Sequence, residues 1–363
     1  MSNSQKKVLL ISNMYPSPKS PSYGTFIKDI ENNLINNGWD VKKIVLYKKN
    51  SKIIKIWSYL KFFAYTLKNL LFDKDRIVYV HYWTFSGIPL LFIKPKKLII
   101  NIHGSDLLPQ KKIQKCLLKI TKNLLYQSDL IIVPSKFYKD LLTSNFKIRT
   151  EKIFVSPSGG IVLPNFFADK AFDSTHPSFG FVGRIEKEKG WQLIFRAIEV
   201  LPDDKKVSFT FVGTGSEQKK LKELADSTVK SKKNIEIKIL GAVEHEKLNL
   251  IYQTFDFLIF PSERESLGLV GLEAMANGVP VIGSAIGGIL TYLNDGENGF
   301  TFRVKDFKQL SSILSNITNM GIEMYEQLSQ NSIDTSQKYE QSAIGQELSS
   351  KFCAVNCCKK GEG

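Results

Sequence analysis

Two glutamates in the C-terminal half of this 363-residue chain have the residue type and the setting to bind a ligand. Seven residues separate Glu265, predicted to lie in a loop after an apolar strand, from Glu273, predicted to open a helix that Gly278 ends. A carboxylate beside a helix N-terminus can accept hydrogen bonds from a ribose diol, and nearby amides can hold phosphate. The helix dipole alone would explain a single such glutamate. A cluster of glycines favours a ligand site instead: Gly268, Gly278, Gly287, Gly288, Gly296 and Gly299.

A second group of polar residues follows predicted strands of the N-terminal half. His103 and Asp106 lie in the sequence NIHGSD. A lone histidine is usually a packed or solvated residue, and a helix N-cap explains Asp106 equally well. His81 and Trp83, in VHYWTFSG, lie at the end of another predicted strand.

These residues need elements to position them, and strand-like apolar runs alternate with helical patterns twice along the chain. The alternation predicts an α/β fold with two doubly wound, Rossmann-like domains. Ligands bind outside the carboxyl ends of the strands in such sheets, so two strand edges facing across a linker would form a cleft. The predicted strands cover 7–12, 39–47, 76–83, 96–104, 129–135 and 153–160, then 178–184, 207–215, 235–241, 256–262 and 279–284.

Length and composition agree with two domains. A domain averages about 150 residues, and a chain with 43% hydrophobic and 23% charged residues is typical of ordinary globular proteins. We place an N-terminal domain at 1–165, a C-terminal domain at 166–335, and a C-terminal helix and tail at 336–363. The linker is predicted near 160–177, where the sequence is polar and aperiodic.

The net charge of +15 is concentrated in the N-terminal half. Residues 1–165 contain 27 Lys and Arg but only 9 Asp and Glu, whereas the remainder contains 23 and 26. Basic faces with stray aromatic residues are typical of contact with anionic lipid, so we predict an anionic membrane surface as a partner. We find no helix-turn-helix, zinc-ligand or RNA-binding motif and therefore predict no nucleic acid.

Much of the basic excess lies in 51–72 and 111–125, each of which has apolar residues at helical spacing. Such a stripe predicts a helix packed on a core with its lysines outside, and in the first segment Phe62 and Tyr65 point away from the stripe. The predicted inward residues are Ile53, Ile56, Trp57, Leu60, Phe63, Leu67, Leu70 and Leu71 in the first segment, and Ile113, Leu117, Ile120 and Leu124 in the second.

Other features predict a cytoplasmic protein, peripheral on the inner face of the plasma membrane. No stretch reaches the roughly 18 apolar residues of a membrane span, and the N-terminus lacks the pattern of a signal peptide. The cysteines have neither disulfide nor zinc spacing. Three of them are predicted to lie in a frayed tail: Cys353, Cys357 and Cys358.

The segment around the two glutamates resembles the donor-binding signature of retaining glycosyltransferases of family 4, which have the two-domain GT-B fold. That signature is E-x7-E followed by G-x-P-V and G-G. GRIEKEKGW at 183–191 is similar to the family's G-R-x4-K-G, and FVGTGSE at 211–217 is similar to its V-G-x-G. PSGGIVLPNFF at 157–167 resembles the interdomain segment, with Ser158 where asparagine is usual. The resemblance is strong over 178–300 and weak before residue 100.

The resemblance implies roles for the matching residues of the C-terminal domain. After Gly183, Arg184 and Lys189 would hold the donor diphosphate, and two cations can neutralise that leaving group without a metal, so we expect no cofactor. Glu273 would bind the ribose, and Glu265 would act at the transferred sugar. The residues expected to contact the donor through their backbone are Val243 beside the base and Ser266, Leu267 and Gly268 beside the sugar.

In the N-terminal domain, the resemblance implies that His103 is catalytic. It would hydrogen-bond the donor sugar and stabilise an oxocarbenium-like transition state, with Asp106 as a weaker candidate. His81 and Trp83 would line the acceptor side. Many relatives have a Gly-Gly pair in the first loop, near the donor phosphates. Here Gly24 is followed by Thr25, and this pair is the candidate for a phosphate or acceptor contact.

The implied activity is retaining transfer of a hexosyl or N-acetylhexosaminyl group from a nucleotide-diphosphate sugar to a hydroxyl of a glycan or lipid-linked acceptor. Family frequency favours a UDP-sugar donor, and the implied setting is bacterial lipopolysaccharide O-antigen, capsule or exopolysaccharide synthesis. The alternatives are a sugar-nucleotide epimerase or phosphorylase of the same fold, and a non-catalytic nucleotide-sugar binder. E-x7-E together with Arg184 and Lys189 favours transfer.

Overall fold

The computed structural model describes residues 6–20, 23–49, 51–166 and 171–357, and the chain forms two compact units. Unit 1 comprises the chain up to Gly160 together with the chain from Gln341 onward, and unit 2 comprises Ile161–Glu340. The chain therefore leaves unit 1, builds unit 2, and returns to unit 1 with its last helix.

Unit 1 is built on six parallel strands in the order β2-β1-β3-β4-β5-β6. The central strands are continuous apolar runs because helices cover both faces of the sheet. The strands are β1 Lys7–Ser12, β2 Asp40–Val45, β3 Ile77–His81, β4 Leu98–Asn101, β5 Leu130–Val133 and β6 Ile153–Val155.

The helices of unit 1 follow its strands in alternation. Two 3₁₀ turns, Ile88–Leu91 and Thr150–Lys152, complete the connections. Among the residues that the structure describes, no helix combines the length and apolarity needed to cross a membrane. The helices are α1 Thr25–Asn36, α2 Lys52–Phe72, α3 Trp83–Ser86, α4 Lys112–Thr121, α5 Asn123–Gln127, α6 Lys136–Asn145 and, at the end of the chain, α13 Gln341–Cys357.

Unit 2 repeats the architecture with six parallel strands in the order β12-β11-β10-β7-β8-β9. The prediction of two doubly wound α/β sheets is confirmed, although β12 was not predicted. The strands are β7 Ser178–Val182, β8 Val207–Val212, β9 Ile235–Gly241, β10 Phe257–Phe260, β11 Val281–Ser284 and β12 Gly299–Phe302, and the helices are α7 Gln192–Glu199, α8 Gln218–Ser231, α9 Leu248–Tyr252, α10 Leu269–Ala276, α11 Phe307–Ile317 and α12 Ile322–Gln337.

Each sheet reverses its direction of growth at one strand. In unit 1 the chain places β2 on one side of β1 and β3 on the other. In unit 2 it places β8 on one side of β7 and β10 on the other. At such a switch point, the loops after two neighbouring strands run to opposite faces of the sheet. A crevice forms between these loops, and parallel sheets bind ligands there.

The segment predicted to be a linker is packed on unit 2 where it is described. Ile161 is buried and its N–H donates to the carbonyl of Tyr339 at 2.8 Å. Phe172 stacks on Tyr325 with ring centroids 4.2 Å apart. The part of this segment at 167–170 lies outside the described residues.

The predicted C-terminal helix is present and packs on α1 of unit 1. It extends to Cys357, so Cys353 and Cys357 do not lie in a frayed tail. Phe352 is fully buried and meets Trp39 edge-on, with centroids 5.5 Å apart. The indole N–H of Trp39 donates to Ser349 Oγ at 2.9 Å. Cys353 packs against the same core, and Cys357 ends the helix, exposed. The third of these cysteines, Cys358, lies outside the described residues.

The two basic helices bury few of the residues that their periodicity predicts. In α2, Leu70 is buried as predicted, but Phe62, predicted to point away, is buried as well. Most of the predicted stripe is exposed, including Ile53, Ile56, Trp57, Leu60 and Leu71. In α4 and α5, Leu124 is buried as predicted, but Ile113 and Ile120 are exposed. Both helices carry apolar residues on more than one face, and the tertiary packing uses another face than the longest stripe.

The packing of α13 predicts a large loss of stability for Phe352→Ala. Removing a fully buried phenylalanine side chain costs about 3–5 kcal/mol, since it removes apolar burial and leaves a cavity. Denaturant unfolding, followed by tryptophan fluorescence because Trp39 lies against this ring, measures the change. Ser350→Ala on the exposed face of α13 is the matched control. Equal unfolding midpoints for the two variants would contradict the assignment of α13 to the core of unit 1.

Candidate functional site

An ion pair connects the two loops at the switch point of unit 2. Lys189 lies in the loop that leaves β7, and Glu265 lies in the loop that leaves β10. Lys189 Nζ donates to Glu265 Oε1, which also accepts from Ser262 Oγ at 3.1 Å. Both side chains of the pair are largely but not fully buried. A cation and a carboxylate are thus held together where a ligand can reach both.

Two glycines allow these loops to approach so closely. A Cβ on Gly190, whose φ is +69°, would lie 2.0 Å from the carbonyl oxygen of Pro261. A Cβ on Gly288 would lie 2.4 Å from the carbonyl oxygen of Glu265. Only glycine fits at either contact. The glycines of the K-G and G-G motifs therefore bring the β7 and β11 loops against the β10 loop that carries Glu265.

Glu273 lies in the second turn of α10 and does not open the helix as predicted. Residue Gly268, in the left-handed region with a φ of 89°, is the N-cap instead. Tyr252 OH donates to Glu273 Oε2 at 2.8 Å, and His245 Nε2 lies 3.4 Å from Oε1. Burial, and then the charge of Glu273, hold the pKa of Tyr252 well above its ordinary value, so the phenol keeps its proton and donates.

The other predicted donor contacts of unit 2 lie around these two glutamates. Leu267 is a core residue, so only its backbone can serve a ligand. Gly268 uses its carbonyl to accept from Tyr292 OH at 2.9 Å. Val243 is half-buried against the same core, beyond the end of β9. Ser266 lies between Glu265 and Leu267 in the same loop, before the start of α10.

Arg184 is placed in the loop but is not brought onto the carboxylates. Its guanidinium is exposed, and Nη2 donates to Glu188 Oε1 at 3.1 Å. The preceding residue, Gly183, donates its N–H to the carbonyl of Val212 at 3.0 Å and so ties the β7 loop to β8. The ion pair between Arg184 and Glu188 is exposed and contributes little free energy, so an anion that displaces Glu188 can bind Arg184.

In unit 1, His103 follows β4 and pairs with a second histidine. His103 Nε2 and His81 Nδ1 are 2.9 Å apart, within hydrogen-bond distance. Burial lowers the pKa of His103 to about 3; burial and the charge of His103 also lower the pKa of His81. The two rings are therefore neutral at physiological pH. His81 is fully buried, so its predicted place on an acceptor surface is wrong.

Asp106 holds the turn that carries His103. Its carboxylate accepts the His103 N–H at 3.1 Å and 3.2 Å, and no helix begins at this position, so the N-cap alternative is wrong. Burial raises the pKa of Asp106 to about 7, against the backbone hydrogen bonds, which lower it. Asp106 thus positions His103 through the histidine's backbone N–H.

The first loop also reaches His103. Gly24 is the left-handed N-cap of α1, Thr25 is exposed as the first residue of that helix, and the Phe26 ring lies 4.8 Å from the His103 ring. Tyr82, at a strained φ of +51°, places its ring 4.5 Å from the same imidazole. Gly24 and Thr25 therefore lie at the same edge of the unit 1 sheet as His103.

Trp83 is not an acceptor residue as predicted. It is fully buried, and its indole N–H donates to the carbonyl of Thr121 at 3.3 Å. Its role is to hold α3 against the end of α4.

The side chains of these sites that were not predicted include Tyr252, Ser262, His245 and Tyr82. The sequence signal for Tyr252 is a hydroxyl in an otherwise apolar segment before β10, since a buried phenol needs a partner. Ser262 follows β10 directly, a position where the strand-end rule could have found it. Of the residues that the structure describes, no group of three or more His, Cys, Asp or Glu is arranged to hold a metal ion.

Comparisons with known proteins match both halves of the chain. Residues 20–159 match the family model "Glycosyltransferase Family 4", and residues 164–335 match "Glycosyl transferases group 1". An uncharacterized glycosyltransferase of Methanocaldococcus jannaschii is 27% identical over 283 residues, covering 76% of this chain and 75% of that protein.

Solved structures of low sequence identity share the fold. Sucrose-phosphate synthase from Thermosynechococcus elongatus superposes with a TM-score of 0.78 at 18% identity, covering 97% of this chain and 99% of that chain. Anabaena HepE, in a complex with UDP and glucose, gives a TM-score of 0.71 at 17% identity and covers 96% and 100%. These likenesses show the GT-B fold predicted from the sequence.

The buried histidine pair predicts an unusual titration. Because the pKa of His103 lies near 3, its C2 proton resonance should not move between pH 8 and pH 5, whereas in urea it should titrate near 6.5. Histidine-selective labelling, with assignment from His103→Gln and His81→Asn, measures this by NMR. The unfolded chain binds the proton first, so this histidine's contribution to stability is present above about pH 6.5 and is lost as the pH falls toward 3. A folded-state titration near 6.5 would contradict the burial.

Proposed function

Because the chain belongs to the family 4, group 1 glycosyltransferases of the GT-B type, we propose that it transfers a hexosyl or N-acetylhexosaminyl group from a nucleotide-diphosphate sugar. The acceptor is a hydroxyl of a glycan or lipid-linked glycan, and the anomeric configuration is retained. The observation that carries this proposal is the meeting of Lys189 with Glu265 at the switch point of unit 2, with Glu273 on the adjoining helix.

The donor occupies the strand ends of unit 2. One oxygen of Glu273 is held by Tyr252 OH, which orients the carboxylate to accept both hydroxyls of a ribose. Lys189 and Arg184 neutralise the diphosphate, so that no metal is required. The base lies against the backbone at 241–243, and a UDP-sugar is the donor we favour. Anabaena HepE, which has this fold, is described in complex with UDP and glucose.

Glu265 has a different role from Glu273 because its partner is different. An incoming diphosphate attracts Lys189 and competes with the carboxylate for that ammonium. Glu265, still held by Ser262 Oγ, is then free to accept hydroxyls of the transferred sugar. The ion pair keeps both side chains in place before the donor binds. The donor then replaces each partner, with its diphosphate at Lys189 and its sugar hydroxyls at Glu265.

His103 acts on the donor sugar as a neutral hydrogen-bond donor. Two neutral imidazoles share one proton in the bond between His81 Nδ1 and His103 Nε2. If that proton belonged to His103, the N–H of His81 would lie on Nε2, which has no partner among the described residues. A buried N–H without an acceptor costs about 1–3 kcal/mol. The other arrangement leaves Nε2 of His81 as an acceptor without a partner in the described part of the chain, and orphaned buried N–H groups are the rarer of the two in proteins. We propose that His81 donates through Nδ1 and that the proton of His103 lies on its own Nδ1.

The transfer step balances without a protein base. The bond from the anomeric carbon to the phosphate oxygen breaks, the acceptor oxygen bonds to the same face of that carbon, and the acceptor proton passes to the departing phosphate. His103 stabilises the oxocarbenium-like transition state by its hydrogen bond to the sugar. His81 is a positioning residue, since it fixes the tautomer and orientation of His103.

The setting we propose is bacterial polysaccharide synthesis, such as O-antigen, capsule or exopolysaccharide. The excess of basic residues in the first 165 positions supports a location on the inner face of the plasma membrane, where anionic lipid attracts lysine and arginine.

Donor binding is tested by thermal shift with a panel of nucleotide diphosphates and their sugars. A bound ligand raises the melting temperature of the folded protein by mass action. We expect one base to stabilise the wild type, a Kd raised at least about tenfold in Glu273→Ala, and a smaller rise in Tyr252→Phe, because hydrogen bonds to charged groups contribute about 1.5–3 kcal/mol. Glu199→Ala, on the exposed face of α7, is the control. Equal affinity of wild type and Glu273→Ala would remove the ribose assignment.

Turnover separates the roles of the two histidines. We expect His103→Ala to lower kcat about 100-fold while the donor Kd changes little, since the contact strengthens in the transition state. His81→Leu should lower kcat with the donor KM unchanged, and His81→Asn, whose Nδ2 can replace Nδ1 as a donor, should restore most of it. Product NMR checks that the new linkage has the donor's anomeric configuration. Undiminished transfer by His103→Ala would exclude it, and an epimerised sugar without a new glycoside would overturn transfer itself.

A further inference from the structure

Helix α2 has two apolar faces, and only one of them is covered. Tyr59, Phe62, Thr66 and Leu70 face the core of unit 1 at the i, i+3, i+7, i+11 spacing of one face. Ile53, Trp57 and Leu60 occupy the opposite face at i, i+4, i+7, and their exposed fractions are 70%, 61% and 53%. Side chains of this size are rarely left in water together without a partner.

Further exposed apolar residues lie on elements of unit 1 that pack against α2 directly or through other elements. The 3₁₀ turn Ile88–Leu91 packs against α2, and the next residue, Phe92, is 77% exposed. The same turn packs against α3, which in turn packs against α4. On α4, Ile113 and Ile120 are 61% and 53% exposed. We group these exposed residues as the α2–α4 face, which we define by Ile53, Trp57, Leu60, Phe92, Ile113 and Ile120.

The charges beside the α2–α4 face all have one sign. Residues 51–72 contain four lysines and 111–125 contain five, and neither segment contains an aspartate or glutamate. Protein interfaces are depleted of lysine at their centres, and two copies of this face would bring nine lysines against nine. Large aliphatic and aromatic residues flanked by lysine are instead the composition of helices that lie in the interface of a bilayer.

We propose that the α2–α4 face inserts its apolar side chains into the headgroup–acyl boundary of a bilayer that contains anionic lipid. The lysine ammoniums stay at the headgroups while their stems lie along the apolar surface. This deepens the membrane contact of the proposed function, which rested on charge alone, because it names the residues that enter the lipid. Charge attracts the unit to the surface, and Trp57 with its neighbours holds it there.

Trp57 is also the probe that tests the proposal. The other three tryptophans, Trp39, Trp83 and Trp191, are buried, so a change in tryptophan emission on lipid addition reports on Trp57. With vesicles of phosphatidylcholine and phosphatidylglycerol, we expect a blue shift and quenching by brominated acyl chains. Trp57→Phe should bind the vesicles and lose the shift.

Matched variants separate insertion from adsorption. The double variant Ile53→Ser with Leu60→Ser should lower the vesicle partition coefficient at least about tenfold. Val200→Ser with Ile322→Ser, two equally exposed residues of unit 2, should leave it unchanged. The nucleotide thermal shift should be the same in both double variants, because the donor lies in unit 2. Absence of the nucleotide thermal shift in the wild type would therefore contradict the proposed donor site and would not bear on the membrane proposal.

Three outcomes would overturn the proposal. Vesicle binding that leaves the Trp57 emission unshifted and vanishes in high salt would mean adsorption by lysines alone. An Ile53→Ser, Leu60→Ser variant that partitions like the wild type would mean that another surface inserts. A blue-shifted Trp57 in a lipid-free dimer, seen by analytical ultracentrifugation, would mean that a second copy covers the face.

Discussion

The ion pair between Lys189 and Glu265 is the contact on which the candidate donor site depends. It spans the switch point of the unit 2 sheet, where the neighbouring strands β7 and β10 send their loops to opposite faces. An exposed ion pair contributes little to stability. This pair is largely shielded from water, and Ser262 Oγ donates to the same carboxylate oxygen. The pair therefore holds both loops in position before any ligand binds.

Unit 1 holds its strand-end histidine in a different way. His103 contacts a neutral ring at 2.9 Å, a buried carboxylate that accepts its backbone N–H, and two nearby aromatic rings. Burial keeps the pKa of His103 near 3, so this group can donate or accept a hydrogen bond but does not carry a charge near neutral pH. The two units thus offer different chemistry: ionic groups at the strand ends of unit 2, and a neutral imidazole at the strand ends of unit 1.

Most of the architecture could be predicted from the sequence, because buried parallel strands are continuous apolar runs separated by turn-forming residues such as glycine and proline. The donor-site loops could also be located, since Glu265, Lys189 and their glycines follow such runs. The hydrogen-bond partners of Glu273 and His103 could not be predicted. Tyr252 precedes Glu273 by 21 positions and His81 precedes His103 by 22, and each lies in an apolar segment typical of a core. Their roles depend on which strands become neighbours, and local pattern does not contain that order.

The wrong prediction for α2 has a physical cause that also explains its surface. Periodicity finds the largest apolar stripe of a helix and assigns it to the core, which holds when a helix has one such stripe. In α2 the core takes the face with Phe62 and Leu70, and the stripe with Ile53 and Trp57 remains outside. A chain that places its longer apolar stripe toward solvent, between lysines and without a single acid, loses apolar burial within the fold. That loss is recovered only if another apolar phase covers the stripe, and the charge beside it selects one with an anionic boundary.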